Sequence, residues 1–274
     1  MTEEVDEFLA GLNYMDLIGL VEETNRPPGG LDSILQFARD TALDRYDSIL
    51  EVGTSTGYTA IELANLYKCN IDAIDINGDS LSTAVQRADR MGVSDSINFN
   101  RADVTDLPYK DGTFDIVCIG NVTSYVNDKT AAVAECARVL KPGGFFVAIP
   151  MYYHREPDKE LLASISDAIG MEIDQTSKTD WLNLFDSTGL RQHRITDFEF
   201  EFVSKADVEV YVETVLDRSD LSEFPSGQQD ALAERYRSYL LLFRENLQHL
   251  RHSVMTYRKP AQFEPELFDS RPVK

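Results

Sequence analysis

Cations are scarce in this chain: 26 Lys and Arg stand against 47 Asp and Glu, a formal net charge of −21 at neutral pH. Nucleic-acid affinity rests largely on cationic contacts that release counterions, so neither DNA nor RNA is expected as a partner. Cysteine is nearly absent as well. Cys69, Cys118 and Cys136 are an odd number without the Cys-x-x-Cys spacing of a zinc or redox site, and they read as reduced core residues. No apolar run reaches the length of about 18 residues that a membrane span requires. The opening residues, Met1 to Glu7, are acidic where a signal peptide would be basic, which leads to the expectation of a cytoplasmic protein without a membrane partner. Acidic residues are spread along the chain and the nine Lys are outnumbered by seventeen Arg, a balance that would suit a salt-rich cytoplasm.

Apolar material is plentiful by contrast: 274 residues, 43% hydrophobic, can bury a core without metal or disulfide support. From about residue 44 to 150, short apolar runs alternate with stretches of helical period, the pattern of βαβ units. Strands are expected at 48–52, 71–75, 97–99, 114–119 and 145–149, and helices at 58–67, 80–91 and 129–140. These are the body of a doubly wound α/β fold. Helices at 4–22 and 31–42 precede it, separated by Asn25-Arg26-Pro27-Pro28-Gly29-Gly30, which cannot continue a helix. After it come helices near 159–169 and 178–188, a strand at 191–203, a helical stretch over 205–248 broken at 225–227, and a strand at 253–258. No internal repeat or low-complexity tract interrupts this order.

The densest chemistry lies in Leu50-Glu51-Val52-Gly53-Thr54-Ser55-Thr56-Gly57, where a tight turn leads from the first strand into a helix and glycine lets a ligand approach the backbone. Asp75 ends the second strand, placed to accept from two ribose hydroxyls lying across the strand ends. Asp103 follows the third strand, and Leu140-Lys141-Pro142-Gly143-Gly144 stops a helix before the fifth. Taken alone, Gly53 and Gly57 also suit a mere packing turn. A dinucleotide site needs G-x-G-x-x-G, and these two glycines are four apart with no third.

In this order, those motifs together with Asp103 to Tyr109 and Gly112-Thr113-Phe114-Asp115-Ile116-Val117 resemble a class I S-adenosylmethionine-dependent methyltransferase of the small-molecule, ubiquinone-biosynthesis-like (type 11) group. The resemblance is good over about 29–150 and weak elsewhere. It implies a Rossmann-like, seven-stranded, mostly parallel sheet whose last two strands are 191–203 and 253–258, with S-adenosylmethionine as cofactor and a small-molecule methyl acceptor as partner. Carried over by position, Glu51, Gly53 and Gly57, with Thr54, Ser55 and Thr56 of the same loop, would hold the methionine end. Asp75 would bind the ribose, Asp103 and Val104 would meet the adenine, and Ile76 would pack on its face. Asn121 falls where the family contacts the methionine portion or the substrate. Family members often have glycine where this chain has Ser55. The loop also looks like that of catechol-type O-methyltransferases, but their metal-binding acidic cluster is missing, since Ile119-Gly120-Asn121-Val122 stands there, and no metal is expected.

Three units follow: an N-terminal helical flap over 1–30, a cofactor-binding core over 31–150, and a remainder over 151–274 carrying a helical substrate lid at about 205–248. Flap, insertion and the segment around Tyr152-Tyr153-His154 would cover the carboxyl edge of the sheet. His154 lies just beyond the fifth strand and is the candidate general base, with a solvated loop histidine as the plainer reading. Tyr14, Tyr125, Tyr152 and Tyr153 could wall an apolar substrate pocket or simply be core. A non-catalytic S-adenosylmethionine-binding regulator or partner subunit stays open as a second function, and the sequence allows a homodimer.

Overall fold

The computed structural model describes residues 12–43 and 48–261. The chain runs through α1 (Tyr14–Leu20), α2 (Gly30–Thr41), β1 (Ser48–Val52), α3 (Tyr58–Tyr67), β2 (Asn70–Asp75), α4 (Gly78–Met91), β3 (Ile97–Arg101) and β4 (Phe114–Ile119). It continues with α5 (Lys129–Val139), β5 (Leu140–Ala148), β6 (Met151–Tyr153), α6 (Lys159–Ile169), α7 (Lys178–Asp186), β7 (Arg191–Glu199), α8 (Lys205–Leu216), α9 (Ser226–Leu247) and β8 (Leu250–Arg258). The part of the expected first helix before residue 12 lies outside the described residues.

Eight strands form one sheet in the order β3-β2-β1-β4-β5-β8-β6, with β7 on the other side of β8. The first five are mutually parallel, and β8 runs antiparallel to β5, β6 and β7. Seven strands were expected, and the eighth continues the fifth. Ala148 pairs with Met255 and Met151 with His252, so β6 resumes the ladder of β5 in the same register. Pro150 lies in the gap, where its missing N–H cannot serve a ladder.

Both faces of the central strands β1, β4 and β5 are buried, as a doubly wound sheet requires, and adjacent residues serve opposite cores. Ile49, Ile71, Ile116, Val147 and Val254 pack with Ile34 and Phe37 of α2 and Leu63 of α3. Leu50, Val117, Phe146 and Met255 pack with Val133 and Cys136 of α5 and Trp181 and Phe185 of α7. Cys69, Cys118 and Cys136 are all buried. A third apolar cluster is separate from the sheet: Leu17 of α1 and Val21 just after it, Ala168 of α6, Val208 and Val212 of α8, and Leu232 and Tyr236 of α9. Flap and insertion therefore meet in one helical cap, which α6 joins.

Acidic residues are put to use at helix starts, where the peptide dipoles favour negative charge. Asn13 with Asp16, Ser177 with Asp180 and Ser204 with Asp207 each form a reciprocal capping box, opening α1, α7 and α8. The strap between α1 and α2 is fixed from below by His252. Gly29 has φ +75°, and a Cβ there would lie 2.5 Å from His252 Nε2. Ser33 Oγ donates to the Pro28 carbonyl at 2.6 Å and sits 3.3 Å from the same ring nitrogen. The imidazole stacks on Phe198 at 5.0 Å. It is 2% exposed, and burial pushes its pKa down to about 4.

Because His252 stays neutral in the folded protein below the usual histidine range, the unfolded chain takes up a proton first as the pH falls from about 6.5 to 4. Stability should fall across that window by up to about 1.4 kcal/mol per pH unit from this group alone. Chemical denaturation at pH 7, 6 and 5 checks it against His252→Gln, whose profile should be flatter. Parallel profiles for the two proteins would contradict it.

Candidate functional site

The carboxyl ends of β1, β2 and β3 open into a cavity of about 570 Å³ that runs under the cap. The loop after β1 is shaped by a single carbonyl: Gly53 and Thr54 both donate their amides to Ile74 O, at 2.8 and 2.9 Å. Gly53 has φ +73°, and a Cβ on it would come within 2.7 Å of the Val122 side chain, so glycine is demanded twice over. Ser55 adopts φ +47°, the left-handed conformation glycine takes at least cost, at the position where the resemblance led to the expectation of glycine. Its hydroxyl accepts from Asn25 Nδ2 at 3.1 Å, compensation that a glycine would not offer.

Four carboxylates line the cavity: Glu51, Asp75 and Asp103 at the sheet edge, and Asp174 in the far lobe. Glu51 is 5% exposed, accepts from Thr54 Oγ1 at 2.7 Å, and is pushed up to about 7 by burial, with the hydroxyls of Thr54 and Thr59 pulling the other way. Asp75 is held by two backbone donors, Ser55 N at 2.8 Å and Asn77 N at 2.9 Å, one on each oxygen. Asp103 binds Thr105 N and Oγ1 through one oxygen, which holds its carboxyl below the usual range and leaves the other oxygen to the cavity. Ile76 lies between them with 64% of its surface exposed, an apolar platform at the cavity wall, while Val104 is buried beside it. Asn121 accepts from Met151 N and Ser124 Oγ, both at 2.9 Å, and its side chain also bonds the Tyr125 phenol.

Glu51, Gly53, Thr54, Ser55, Asp75, Ile76, Asp103, Val104, Asn121, Tyr14, Tyr125 and Tyr153 all line this one cavity. Thr56, Gly57, Tyr152 and His154 do not. Thr56 is fully buried and works as an anchor: its hydroxyl donates to Glu23 O at 3.0 Å and accepts from Asn25 N and Arg87 Nη1. Gly57, with φ +84°, turns the chain into α3. Tyr152 alternates with its neighbours on β6, so Met151 and Tyr153 reach the cavity while Tyr152 enters the core beside Ser253 and Asp197. His154 lies past the end of β6, its amide bound to His249 O at 3.0 Å, and does not reach the cavity wall.

Sequence reasoning passed over several lining residues. Asn25, Arg26, Pro27 and Pro28 of the strap were read only as a helix stop, yet the extended backbone forced on a residue before proline is what lays them along the opening. Arg26 stacks over Tyr58 at 5.3 Å and is the one Lys or Arg among the described lining residues. Ile165 and Ile169 of α6, Phe243 and Asn246 of α9, and Met171 line the far lobe. Their helical spacing gave amphipathic helices but no sign of which face meets a ligand. Among the described residues no group of three or more His, Cys, Asp or Glu is gathered as a metal ion would need.

Residues 50–148 match the family model described as a methyltransferase domain. Among curated proteins, the norajmaline N-methyltransferase of Rauvolfia serpentina is 29% identical over 153 residues, covering 52% of each chain. The O-methyltransferase cnsE of Penicillium expansum is 30% identical over 152 residues, covering 55% of this chain and 54% of that one. This chain thus matches about half the length of either relative. A solved structure, phosphoethanolamine N-methyltransferase 2 of Haemonchus contortus in complex with S-adenosyl-L-methionine, shares the fold at a TM-score of 0.68 with 16% identity, over 93% of this chain and 60% of that one. The glycine loop after β1, the carboxylates ending β1 and β2 and the one following β3, and this match agree, and residues 50–148 form a class I S-adenosylmethionine-dependent methyltransferase domain.

Proposed function

We propose that this protein transfers a methyl group from S-adenosylmethionine to an O, N or C nucleophile of a small molecule, and that the helical cap selects the acceptor. The observation that carries the reading is Glu51, a buried carboxylate at the cavity wall with hydroxyl donors but, among the described residues, no lysine or arginine beside it. An ammonium group is the partner its chemistry asks for, and the methionine end of the cofactor carries one. Asp75, its oxygens already aimed by two backbone amides, would take the ribose hydroxyls. The open oxygen of Asp103 would accept from the adenine amino group, with Ile76 against the ring. Arg26 would face the methionine carboxylate from the strap.

When bound, the cofactor supplies an electrophilic methyl on a sulfonium, a good leaving group. The chain's own contribution is to hold the acceptor in line with that methyl and to exclude water. The far lobe suits this role, with Ile165, Ile169, Met171, Phe243 and Leu247 among its walls. The flap, the insertion at about 205–248 and the segment after β5 would act as the lid, with α6 as a further wall. Among the described residues no helix is long and apolar enough to cross a membrane.

Calorimetry should find binding of S-adenosylmethionine and S-adenosylhomocysteine and none of NAD; the reverse pattern would end this reading. Asp75→Ala should weaken S-adenosylhomocysteine by about 2 kcal/mol or more, because a charged acceptor for two hydroxyls is lost. An unchanged dissociation constant in the folded variant would place the ribose elsewhere.

Glu51 makes the affinity pH-dependent. With its carboxyl near 7 in the empty protein, an arriving ammonium must stabilise the ionised form, so binding at pH 6 should release close to one proton. Affinity for S-adenosylhomocysteine should rise between pH 5 and 7, and Glu51→Gln should flatten that rise. Heats measured in buffers of different ionisation enthalpy would reveal the released proton, and their equality would count against this role.

A further inference from the structure

Glu23 is a second buried carboxylate, 6% exposed, on the strap between α1 and α2. Phenols surround it. Tyr14 Oη of α1 donates to Oε2 at 3.1 Å and Tyr211 Oη of α8 donates to Oε1 at 3.2 Å. The Tyr236 hydroxyl of α9 and Arg26 both lie near enough to act on its charge. Burial holds the Glu23 carboxyl above the usual range while these neighbours pull it back. Tyr14 is raised well above an ordinary phenol, first by burial and then by Glu23, and Tyr211 is raised to about 12, so both stay protonated donors. Three helices of the cap thus converge on one carboxylate.

Its position is as informative as its partners. The Glu23 carbonyl holds Thr56 Oγ1 at 3.0 Å, and Asn25 holds Ser55, so Glu23 is tied to the loop proposed to take the methionine end of the cofactor. Tyr14 lines the cavity and meets Phe243 of the apolar lobe, ring centroids 4.6 Å apart. Tyr14 therefore borders both sides of the site, the loop after β1 through Glu23 and the apolar lobe through Phe243. No histidine is among the described lining residues, and the far-lobe acid Asp174 is engaged by Lys129 at 2.9 Å. Among the described residues, no lysine or arginine lines that lobe to receive an anionic acceptor.

We propose that Tyr14 and Glu23 form a proton relay for an uncharged acceptor that carries a hydroxyl on an apolar body, an inference that rests on the methyltransferase reading. The acceptor hydroxyl donates to Tyr14 Oη, whose own proton is already directed at Glu23 Oε2. As the acceptor oxygen forms its bond to the methyl carbon, the carbon–sulfur bond breaks and its electron pair stays on sulfur. The acceptor proton passes to Tyr14 and the Tyr14 proton to Glu23, leaving a neutral methyl ether, a thioether and a protonated Glu23 that returns its proton to water after product release. Tyr14 is the catalytic residue of the pair and Glu23 holds the proton. Tyr211 positions Glu23 and helps keep it ionised.

The full chain with S-adenosylhomocysteine and 2-naphthol, followed by naphthol fluorescence, tests the class of ligand. Binding should saturate and be at least tenfold tighter than that of naphthalene. Tyr14→Phe should erase this preference while changing S-adenosylhomocysteine affinity less than threefold. With S-adenosylmethionine, 2-naphthol should be methylated with a kcat that rises along one acid limb. Glu23→Gln should lower kcat about 100-fold or more and abolish the limb, with KM within a few-fold. Tyr211→Phe, which removes one donor from the carboxylate, should move the limb to higher pH, a shift that a purely structural role would not produce. Naphthol binding no tighter than naphthalene, binding without methylation, or wild-type kcat and pH profile in Tyr14→Phe and Glu23→Gln would each overturn the relay. Failure to bind S-adenosylhomocysteine at all would instead bring down the methyltransferase reading.

Discussion

Two amides on one carbonyl decide the shape of the site. Ile74 O receives both Gly53 N and Thr54 N, which draws the loop after β1 across the end of β2. A loop held in that way presents its next amide, Ser55 N, to Asp75, and the carboxylate is aimed before any ligand arrives. The approach is so close that Val122 fills the space a Gly53 side chain would need. It also forces Ser55 into the left-handed region, a strain of order 1 kcal/mol that Asn25 offsets from the strap. The strap, the loop and the ends of the first two strands are therefore one hydrogen-bonded unit, and the cap is hung from it.

The sheet was legible because its signals are local. Continuous apolar runs such as Phe114–Ile119 belong to strands buried on both faces, and the helices between them show their period over ten or more residues. The ends of β1 and β2 were legible for the same reason: Glu51, Gly53 and Asp75 sit at fixed distances from strand ends, so the fold alone brings them together. Tyr152 and Tyr153 show where local reasoning stopped. Both were given the same pair of readings, pocket wall or core, because β6 was not anticipated, and only a strand makes neighbours point to opposite sides. The cap was visible as amphipathic segments without partners. Its core joins Leu17 to Tyr236 across more than two hundred positions of sequence, and periodicity says which face is apolar but not what it meets.

Glu23 illustrates a deeper limit of sequence reading. In a chain with 47 acidic residues one more glutamate carries no signal, and its neighbours Glu22 and Thr24 are of the kind found on any surface. Its burial is a product of tertiary assembly, since Tyr14, Tyr211 and Tyr236 come from three separate helices. Of the three, Tyr14 was singled out as a possible pocket wall, and nothing local joined it to a carboxylate nine positions on. Burying a carboxylate is costly unless it is hydrogen-bonded, and the phenols of Tyr14 and Tyr211, which keep their protons, supply those bonds with Arg26 near enough to act on the charge.

The two apolar bodies of the molecule meet through a polar seam. Sheet cores and cap core share no residue. What crosses between them at the strap is hydrogen bonding: Thr56 to Glu23 O, Asn25 to Ser55 and Thr56, and Arg87 to Thr24 at 2.8 Å. Each such bond contributes on the order of 1 kcal/mol net, far less than the burial of either apolar cluster. Opening along the seam therefore costs much less than unfolding either side, and water can replace the bonds that break. The same seam runs beside the cavity, joining the loop after β1 to the strap that lies under the cap.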